Sequence, residues 1–176
     1  GIDPSAYIEL TSFTHHPFYT SFILEIPDNY SNGSFFNVPI DELETTVQQA
    51  LRAGYTVAWD GDVSEDGFSS KEGLALMPID PTDDNLFKSY VKEMNASQEN
   101  RQEAFESFST TDDHLMHIVG MGEDGEGHLY YKIKNSWGVR GAHDGYLYMS
   151  SPYFRMKTVA IMLHKDALPD EMKKRM

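Results

Sequence analysis

His114 and Asn135 are the two residues of this chain whose types and spacing favour proton-transfer chemistry. An imidazole can act as general base and general acid near neutral pH if its tautomer and orientation are fixed. A carboxamide oxygen that accepts a hydrogen bond from one ring N–H does this, and leaves the other ring nitrogen free to exchange a proton with a nucleophile. Trp137, two residues further on, would shield such a pair from water and so strengthen the hydrogen bond.

A β-hairpin is the element that must bring these two side chains together. Alternating apolar and polar residues predict strands over 114–121 and 128–134, and the intervening EDGEG at 123–127 is typical of a hairpin turn. With the turn centred on the bond between residues 124 and 125, His114 faces Asn135, and opposed Cβ atoms lie about 4.5–5.5 Å apart. The same register pairs Met116 with Ile133, Ile118 with Tyr131 and Gly120 with Leu129. A histidine with only a structural role at a strand end is the alternative interpretation.

Metal sites are poorly supported by the spacing of the acidic and histidine residues. His114 and His117 would share a helix face and could form a zinc site with Asp112 and Asp113, but on a strand residues three apart point to opposite faces. The acidic stretch that begins at Asp60 lacks the glycine and glutamate that an EF-hand needs at its sixth and twelfth positions. We therefore predict no metal and no cofactor, and a solvated acidic loop.

Three other polar residues are predicted to have no catalytic or metal-binding role. His15 and His16 are neighbours in a predicted turn, where they would be solvated. Ser136 lacks the GxSxG elbow that exposes a nucleophilic serine.

Composition narrows the function classes. The chain has 176 residues and a mass of 20.0 kDa, which fits one globular domain. Its net charge of −14 would repel phosphate backbones and anionic lipid headgroups, so we predict no nucleic-acid and no membrane partner. The longest apolar run, residues 159–163, is too short to span a bilayer. There is no cysteine, and hence no disulfide, thiolate metal site or cysteine nucleophile in these residues.

The order of predicted elements favours an α+β fold, because helices lie in the first half and strands dominate the second. Asp41 and Glu44 predict a capping box for a helix that ends near Gly54, and residues 27–39 are predicted to be a loop. The remaining predicted helices are 82–94 and 97–108, the latter with Ala104, Phe105 and Phe108 inward. The remaining predicted strands are 7–13, 20–26, 55–59, 145–149 and 157–163. We expect one domain over 1–176, made of helices and short strands (1–110), an antiparallel sheet (111–168) and a tail (169–176).

Several segments carry a resemblance to a known family. KNSWG at 134–138, GYLYM at 145–149 and DHLM at 113–116 resemble the Asn and His blocks of papain-like cysteine peptidases. Within that family, PIDEL at 39–43, VAWDGDV at 57–63 and RQEAF at 101–105 resemble the bleomycin hydrolase and aminopeptidase C branch. The resemblance covers roughly residues 7–168. It implies the β-rich half of a papain-like fold, with a helical insertion over 41–108.

The resemblance implies roles for five residues. His114 would be the general base and acid and Asn135 its orienting partner, while Asp113, Trp137 and Gly138 would support the substrate cleft. In the family a cysteine attacks the scissile carbonyl and a glutamine before it completes the oxyanion hole. Both belong to the N-terminal half of the fold, and this chain has neither block. The resemblance therefore implies the C-terminal part of a cysteine aminopeptidase that is inactive alone.

Two explanations for the missing nucleophile stay open: a C-terminal portion cut from a longer enzyme, or a silent homologue that binds peptides or assists assembly. The partners implied by resemblance are a peptide substrate, the N-terminal Cys-bearing half and further copies in a hexamer. The resemblance implies a cytoplasmic location, with an exported form also open. In that branch the chain end enters the cleft and selects peptide N-termini, whereas the tail here is PDEMKKRM, with a frayed surface tail as the alternative.

Overall fold

The computed structural model describes residues 2–176 and contains one ten-stranded sheet with four α-helices. The strands are β1 Tyr7–Thr11, β2 Ser21–Ile23, β3 Ser34–Asn37, β4 Val57–Gly61, β5 Phe68–Ser69, β6 Leu74–Ala75, β7 His114–Glu123, β8 Leu129–Lys134, β9 Tyr146–Ser150 and β10 Thr158–His164. The helices are α1 Ile40–Arg52, α2 Gln98–Glu106, α3 Ser151–Lys157 and α4 Asp170–Lys173, with 3₁₀ turns at Pro4–Ala6 and Lys165–Ala167. Within 2–176, no helix is both long and apolar enough to cross a bilayer.

The sheet order is β2-β3-β1-β10-β4-β7-β8-β9-β6-β5. Its pairs are antiparallel except β1 with β3 and β6 with β9. β7 lies between β4 and β8 near the middle, so both sides of the strand that carries His114 are hydrogen-bonded. The α+β prediction is confirmed, although residues 41–108 contain three short strands as well as α1 and α2.

Helix α1 forms as its apolar spacing predicts. Leu43, Val47 and Ala50 are fully buried against the sheet, and each large apolar side chain contributes about 1.5–3 kcal/mol on burial. The predicted capping box is wrong: Pro39 occupies the N-cap position and no side chain caps the helix. Asp41 and Glu44 instead bind the guanidinium of Arg155, a residue more than 100 positions away.

Helix α2 begins where predicted, with Ser97 accepting a hydrogen bond from the amide of Asn100. Its buried face differs from the prediction, since Arg101 is 1% exposed whereas Phe108 is 83% exposed. The guanidinium of Arg101 donates to the carbonyl oxygen of Ser12 at 2.8 Å and so replaces the apolar contacts that the sequence pattern predicted. Phe108 lies beyond the end of the helix, in a left-handed conformation with φ of 59°.

The helix predicted over 82–94 is wrong, because residues 84–88 form turns and Glu93 lies in an isolated β-bridge with Pro78. The carboxylates of Asp80 and Asp83 each accept a hydrogen bond from the amide two residues later, which ends local helix growth. Phe87, at φ of 72°, is also incompatible with a right-handed helix. The elements absent from the prediction are β3, β5, β6, α3 and α4, all of seven residues or fewer.

The predicted hairpin register is also wrong. Ile118 pairs with Ile133, which shifts the register by two residues. An irregularity between Ile118 and Gly120 shifts the part of the hairpin nearer the turn by one more residue, three in total. The cause is a longer turn, because the Asp124 carboxylate accepts the amides of Glu126 and His128. A shift of two preserves which residues share a face, whereas a shift of three reverses it. Near His114 the predicted face therefore survives.

Candidate active site

The His114 ring and the Asn135 carboxamide lie within hydrogen-bond distance, with 3.0 Å between Nε2 and Oδ1. The Asn135 Oδ1 also accepts the amide of Ser136 at 2.7 Å, which fixes the orientation of the carboxamide. The same oxygen can only accept from His114, so Nε2 must carry the proton and Nδ1 is the nitrogen with a free lone pair. The predicted contact is confirmed, and the residues reach it diagonally across β7 and β8 rather than face to face.

Asn135 holds its position because it is 5% exposed and its amide donates to the carbonyl oxygen of Gly145 at 3.1 Å. Its Nδ2 is buried and has no hydrogen-bond partner among residues 2–176. Leaving such a donor unpaired costs about 1–3 kcal/mol. The two hydrogen bonds of the carboxamide are therefore both made by its oxygen.

Trp137 packs beside the His114 ring, with centroids 4.9 Å apart and planes at 33°. Phe68 meets the indole edge-on at 6.5 Å, which steadies the indole from the far side. Trp137 is still 45% exposed, so it covers one side of the imidazole only. Gly138 follows with φ of 81°, a left-handed conformation that glycine adopts without strain and that turns the chain away from the site.

Gly61 on β4 lies directly opposite His114 on β7. A Cβ atom at this position would overlap the carbonyl oxygen of Lys157 and the indole of Trp59. The close approach of these backbones draws α3 and β4 against the start of β7. The strand end that presents His114 is therefore closely packed on its β4 side.

The segment that leads into His114 is anchored by a buried ion pair. Lys157 is 2% exposed, and its ammonium donates to the carbonyl oxygen of Ser109 at 2.5 Å and pairs with Asp62 and Glu65. The Asp62 carboxylate accepts the amide of Thr111 at 3.0 Å. Residues 109 and 111 are thus fixed just before the candidate general base.

The charge state of Asp62 follows from these contacts. Burial opposes its ionisation, but hydrogen bonds from Ser64 and Thr111 and the charge of Lys157 outweigh that effect and lower the pKa of Asp62. Asp113, next to His114, accepts the amide of Val63 at 3.0 Å. Desolvation raises the pKa of Asp113, and the nearby Asp62 carboxylate raises this pKa further.

A second acidic pair lies on β4 and just before β7. Burial raises the pKa of Asp60 to about 8. A hydrogen bond with the carboxyl of Asp112 and the negative charge of Asp112 contribute to this rise. Asp112 Oδ2 accepts the amide of Asp28 at 3.4 Å, while its Oδ1 is buried without a partner among the described residues. His117, the second histidine of the rejected zinc site, is exposed and hydrogen-bonds Thr56. Within residues 2–176, no group of three or more His, Cys, Asp or Glu side chains is arranged to hold a metal ion.

Sequence reasoning missed the supporting roles of Asp62, Lys157 and Phe68. Asp62 lies within the VAWDGDV segment that carries the resemblance, and that was the available signal for it. Lys157 belongs to the short helix α3, which was not predicted. A fully buried lysine cannot be recognised from sequence, because lysine is almost never fully buried unless paired.

The tail differs from the frayed alternative. Met172 on α4 is buried, and the Arg175 guanidinium lies over the Tyr19 ring at 4.4 Å and pairs with Glu42. These contacts dock the tail against α1 rather than against His114. The route of the chain end into the cleft, which the resemblance left open, is not among these contacts.

The comparisons with known proteins agree with the fold. The model of the Peptidase C1-like family matches residues 1–176, and the chain belongs to this family. It is similar to aminopeptidase C of Lactococcus lactis subsp. cremoris, at 28% identity over 97% of this chain and 39% of that protein. Aminopeptidase G of Lactobacillus delbrueckii subsp. lactis is 26% identical over 95% of the chain and 37% of its own length.

A mammalian relative and a solved structure extend this result. Bleomycin hydrolase of Rattus norvegicus is 31% identical over 77% of the chain and 29% of that protein. The crystal structure of PepW from Lactobacillus rhamnosis HN001 matches with a TM-score of 0.74 at 19% identity, over 99% of this chain and 39% of PepW. The fold is therefore papain-like. The chain spans less than two-fifths of the length of the aminopeptidases that it matches.

Proposed function

We propose that this chain supplies the histidine and asparagine of a cysteine-type aminopeptidase. The observation that carries the proposal is the His114–Asn135 hydrogen bond, which leaves Nδ1 of the imidazole free. In the proposed reaction Nδ1 takes the thiol proton of a cysteine outside these residues, and the thiolate attacks the peptide carbonyl. The imidazolium then gives that proton to the leaving amine, and water hydrolyses the thioester.

The nucleophile and the oxyanion-hole glutamine are proposed to come from an N-terminal Cys-bearing half of the same fold. The exposed apolar side chains of the sheet support this partner. Leu115 and Val119 share one face of β7, and Met162 on β10 lies on the same face, with exposures of 62%, 36% and 40%. Exposed apolar patches of this kind mark interaction surfaces. By the family resemblance, further copies would complete a hexamer.

The second candidate is a catalytically silent homologue that binds peptides or assists assembly. The absence of cysteine from all 176 residues favours it if no cysteine precedes them in the reading frame. The two candidates differ in one measurable property. Only the first predicts hydrolysis by the product of the complete reading frame.

The test compares the complete product with the 176-residue chain on aminoacyl-aminomethylcoumarin substrates and their N-acetylated counterparts. We expect hydrolysis only by the complete product and only of the free-amine substrates. His114→Ala should lower kcat by about 10²–10⁴-fold, the usual contribution of a general acid–base group. His117→Ala, an exposed histidine on the same strand, is the matched control and should change kcat less than twofold. A complete product that lacks cysteine, or that hydrolyses neither substrate, would favour the silent homologue instead. Hydrolysis that is unaffected by His114→Ala would refute the role proposed for His114.

A further inference from the structure

A cavity of about 720 Å³ lies beside the candidate active site and has no assigned role. Its wall includes Thr111 and Asp112, and Asp112 is two residues before His114. Two residue steps span at most about 7 Å, so the wall begins within that distance of the candidate general base. A cavity of this size can hold one or two amino-acid side chains.

The floor and sides of the cavity are apolar and aromatic. Leu24 is buried, Ile23 is 48% exposed, and Phe105 stacks on the buried Phe13 at 4.0 Å. His15 stacks parallel to Phe105 at 13°, and its burial and the charge of His16 lower the pKa of His15. The lowered pKa favours the uncharged form of the His15 ring, which presents a flat surface to the cavity.

Carboxylates outnumber basic side chains in this cavity. Its lining contains the carboxylates of Glu25, Glu106 and Asp112, two histidines, and no lysine or arginine. Glu106 accepts a hydrogen bond from the Gln102 side chain at 2.7 Å and Asp112 shares a hydrogen bond with Asp60, but none of the three carboxylates forms an ion pair with a described lysine or arginine. Three carboxylates without a lysine or arginine partner, placed around an apolar cavity, attract a cation that has an apolar body.

Phe108 stands at the rim, 83% exposed and with φ of 59°. A bulky residue in the left-handed region is strained by about 1–3 kcal/mol, and such strain is concentrated at ligand clamps and active sites. The strained backbone directs an aromatic ring to the edge of an acidic cavity. An aromatic face in this place can stack on a guanidinium or ammonium group.

We propose that this cavity is a subsite for a basic segment of a peptide, an arginine or lysine next to an apolar residue. The occupant is fixed by charge complementarity with the three carboxylates and by the aromatic lining. The subsite deepens the proposed peptidase function, on which its role in substrate choice rests. Binding itself does not require the nucleophile and can be measured on the 176-residue chain.

The probe is a blocked tetrapeptide, N-acetyl-Ala-Phe-Arg-Ala-amide, with matched peptides in which glutamate or norleucine replaces arginine. Methyl NMR signals of Ile23, Leu24 and Ile26 report the cavity, and those of the buried Leu163 serve as the internal control. We expect the cavity signals to shift with the arginine peptide at low ionic strength, at least tenfold less affinity for the glutamate peptide, and weaker binding in salt.

Two variants separate binding from folding. Glu25→Gln/Glu106→Gln should weaken arginine-peptide binding about three- to tenfold, as expected for two partly exposed charges. Phe108→Gly relieves the left-handed strain, so the fold should be retained or gain stability while affinity falls. Glu171→Gln, an exposed change on α4, is the matched control and should leave affinity unchanged.

Three results would overturn the proposal: no shift at Ile23 up to millimolar peptide, equal affinity for all three peptides, or cavity signals that move with protein concentration alone. The last would mean that a second copy covers the cavity. Failure of the peptidase proposal is read separately, from coumarin release by the complete product. A chain that binds the arginine peptide but belongs to an inactive product would keep the subsite and discard the enzyme.

Discussion

Replacing Lys157 with methionine removes one charge from the buried anchor of the His114 segment and keeps the apolar stem. Breaking a buried ion pair by removing one partner costs about 3–5 kcal/mol. Asp62 keeps its hydrogen bonds from Ser64 and Thr111, so we expect the lower value, about 3 kcal/mol. At about 2.1 cal/mol/K per residue, the unfolding entropy of a 176-residue chain makes this a fall in Tm of about 8 °C.

The pH dependence of that cost identifies Asp62 as its source. In the native protein the lowered pKa of Asp62 gives stability that is present above its unfolded pKa of about 3.9 and lost as pH falls through the folded value. Without Lys157, burial should raise the pKa of Asp62, so the variant gains stability at Asp62 as pH falls. The difference in unfolding free energy should therefore shrink between pH 7 and pH 4.

Urea unfolding followed by circular dichroism at pH 7, 5.5 and 4 measures this difference. Lys157→Met/Asp62→Asn, which leaves no isolated charge in the pair, should recover at least half of the loss at pH 7. Lys88→Met, at an exposed lysine, is the matched control and should change stability by less than about 0.5 kcal/mol. A loss below 1 kcal/mol for Lys157→Met, or one that is constant from pH 7 to 4, would refute the anchoring role.

Three further predictions concern the same strand ends. Gly61→Ala should cost about 3 kcal/mol in urea unfolding because its Cβ overlaps backbone, whereas Gly125→Ala, with no atom within 4 Å, should cost less than about 0.5 kcal/mol. Asn135→Ala should convert His114 from one ring tautomer to a mixture, seen in the ring ¹⁵N shifts; an unchanged tautomer would contradict the hydrogen-bond assignment. Because the pKa of Asp60 is about 8 in the folded state and about 3.9 in the unfolded state, its contribution to the unfolding free energy should fall by about 3–4 kcal/mol as pH rises from 5 to 8. Asp60→Asn should remove most of that fall, and equal slopes for the variant and the parent protein would exclude the raised pKa of Asp60 as its cause.

Local patterns predicted the parts of the fold that depend on local physics. Helix α1 follows from apolar residues at helical spacing, and β7 and β8 follow from alternation. The capping box failed because Arg155 competes for the same carboxylates from a distant part of the chain. The helix over 82–94 failed because aspartate side chains satisfy the nearby amides first.

The candidate site was predicted better than the register that was used to find it. His114 and Asn135 still meet because an even register shift keeps the same residues on the same face. The buried ion pair could not be predicted from local patterns, because Lys157 and Asp62 are 95 residues apart in the sequence. The catalytic roles of His114 and Asn135 stay predictions. The supporting roles of Asp113, Trp137 and Gly138 stay predictions as well.

Strand β1 pairs with β10, so the first and last strands of the chain are neighbours in the sheet. Tyr7, where β1 begins, lies opposite His164, where β10 ends, and the Lys165 ammonium binds the carbonyl oxygen of Ser5 at 2.7 Å just outside the pair. A pulling force applied between Tyr7 and His164 would separate β1 from β10 starting at this end, and would load the hydrogen bonds between the two strands one at a time. Mechanical tension between segments attached at residues 7 and 164 would thus part the sheet at low force.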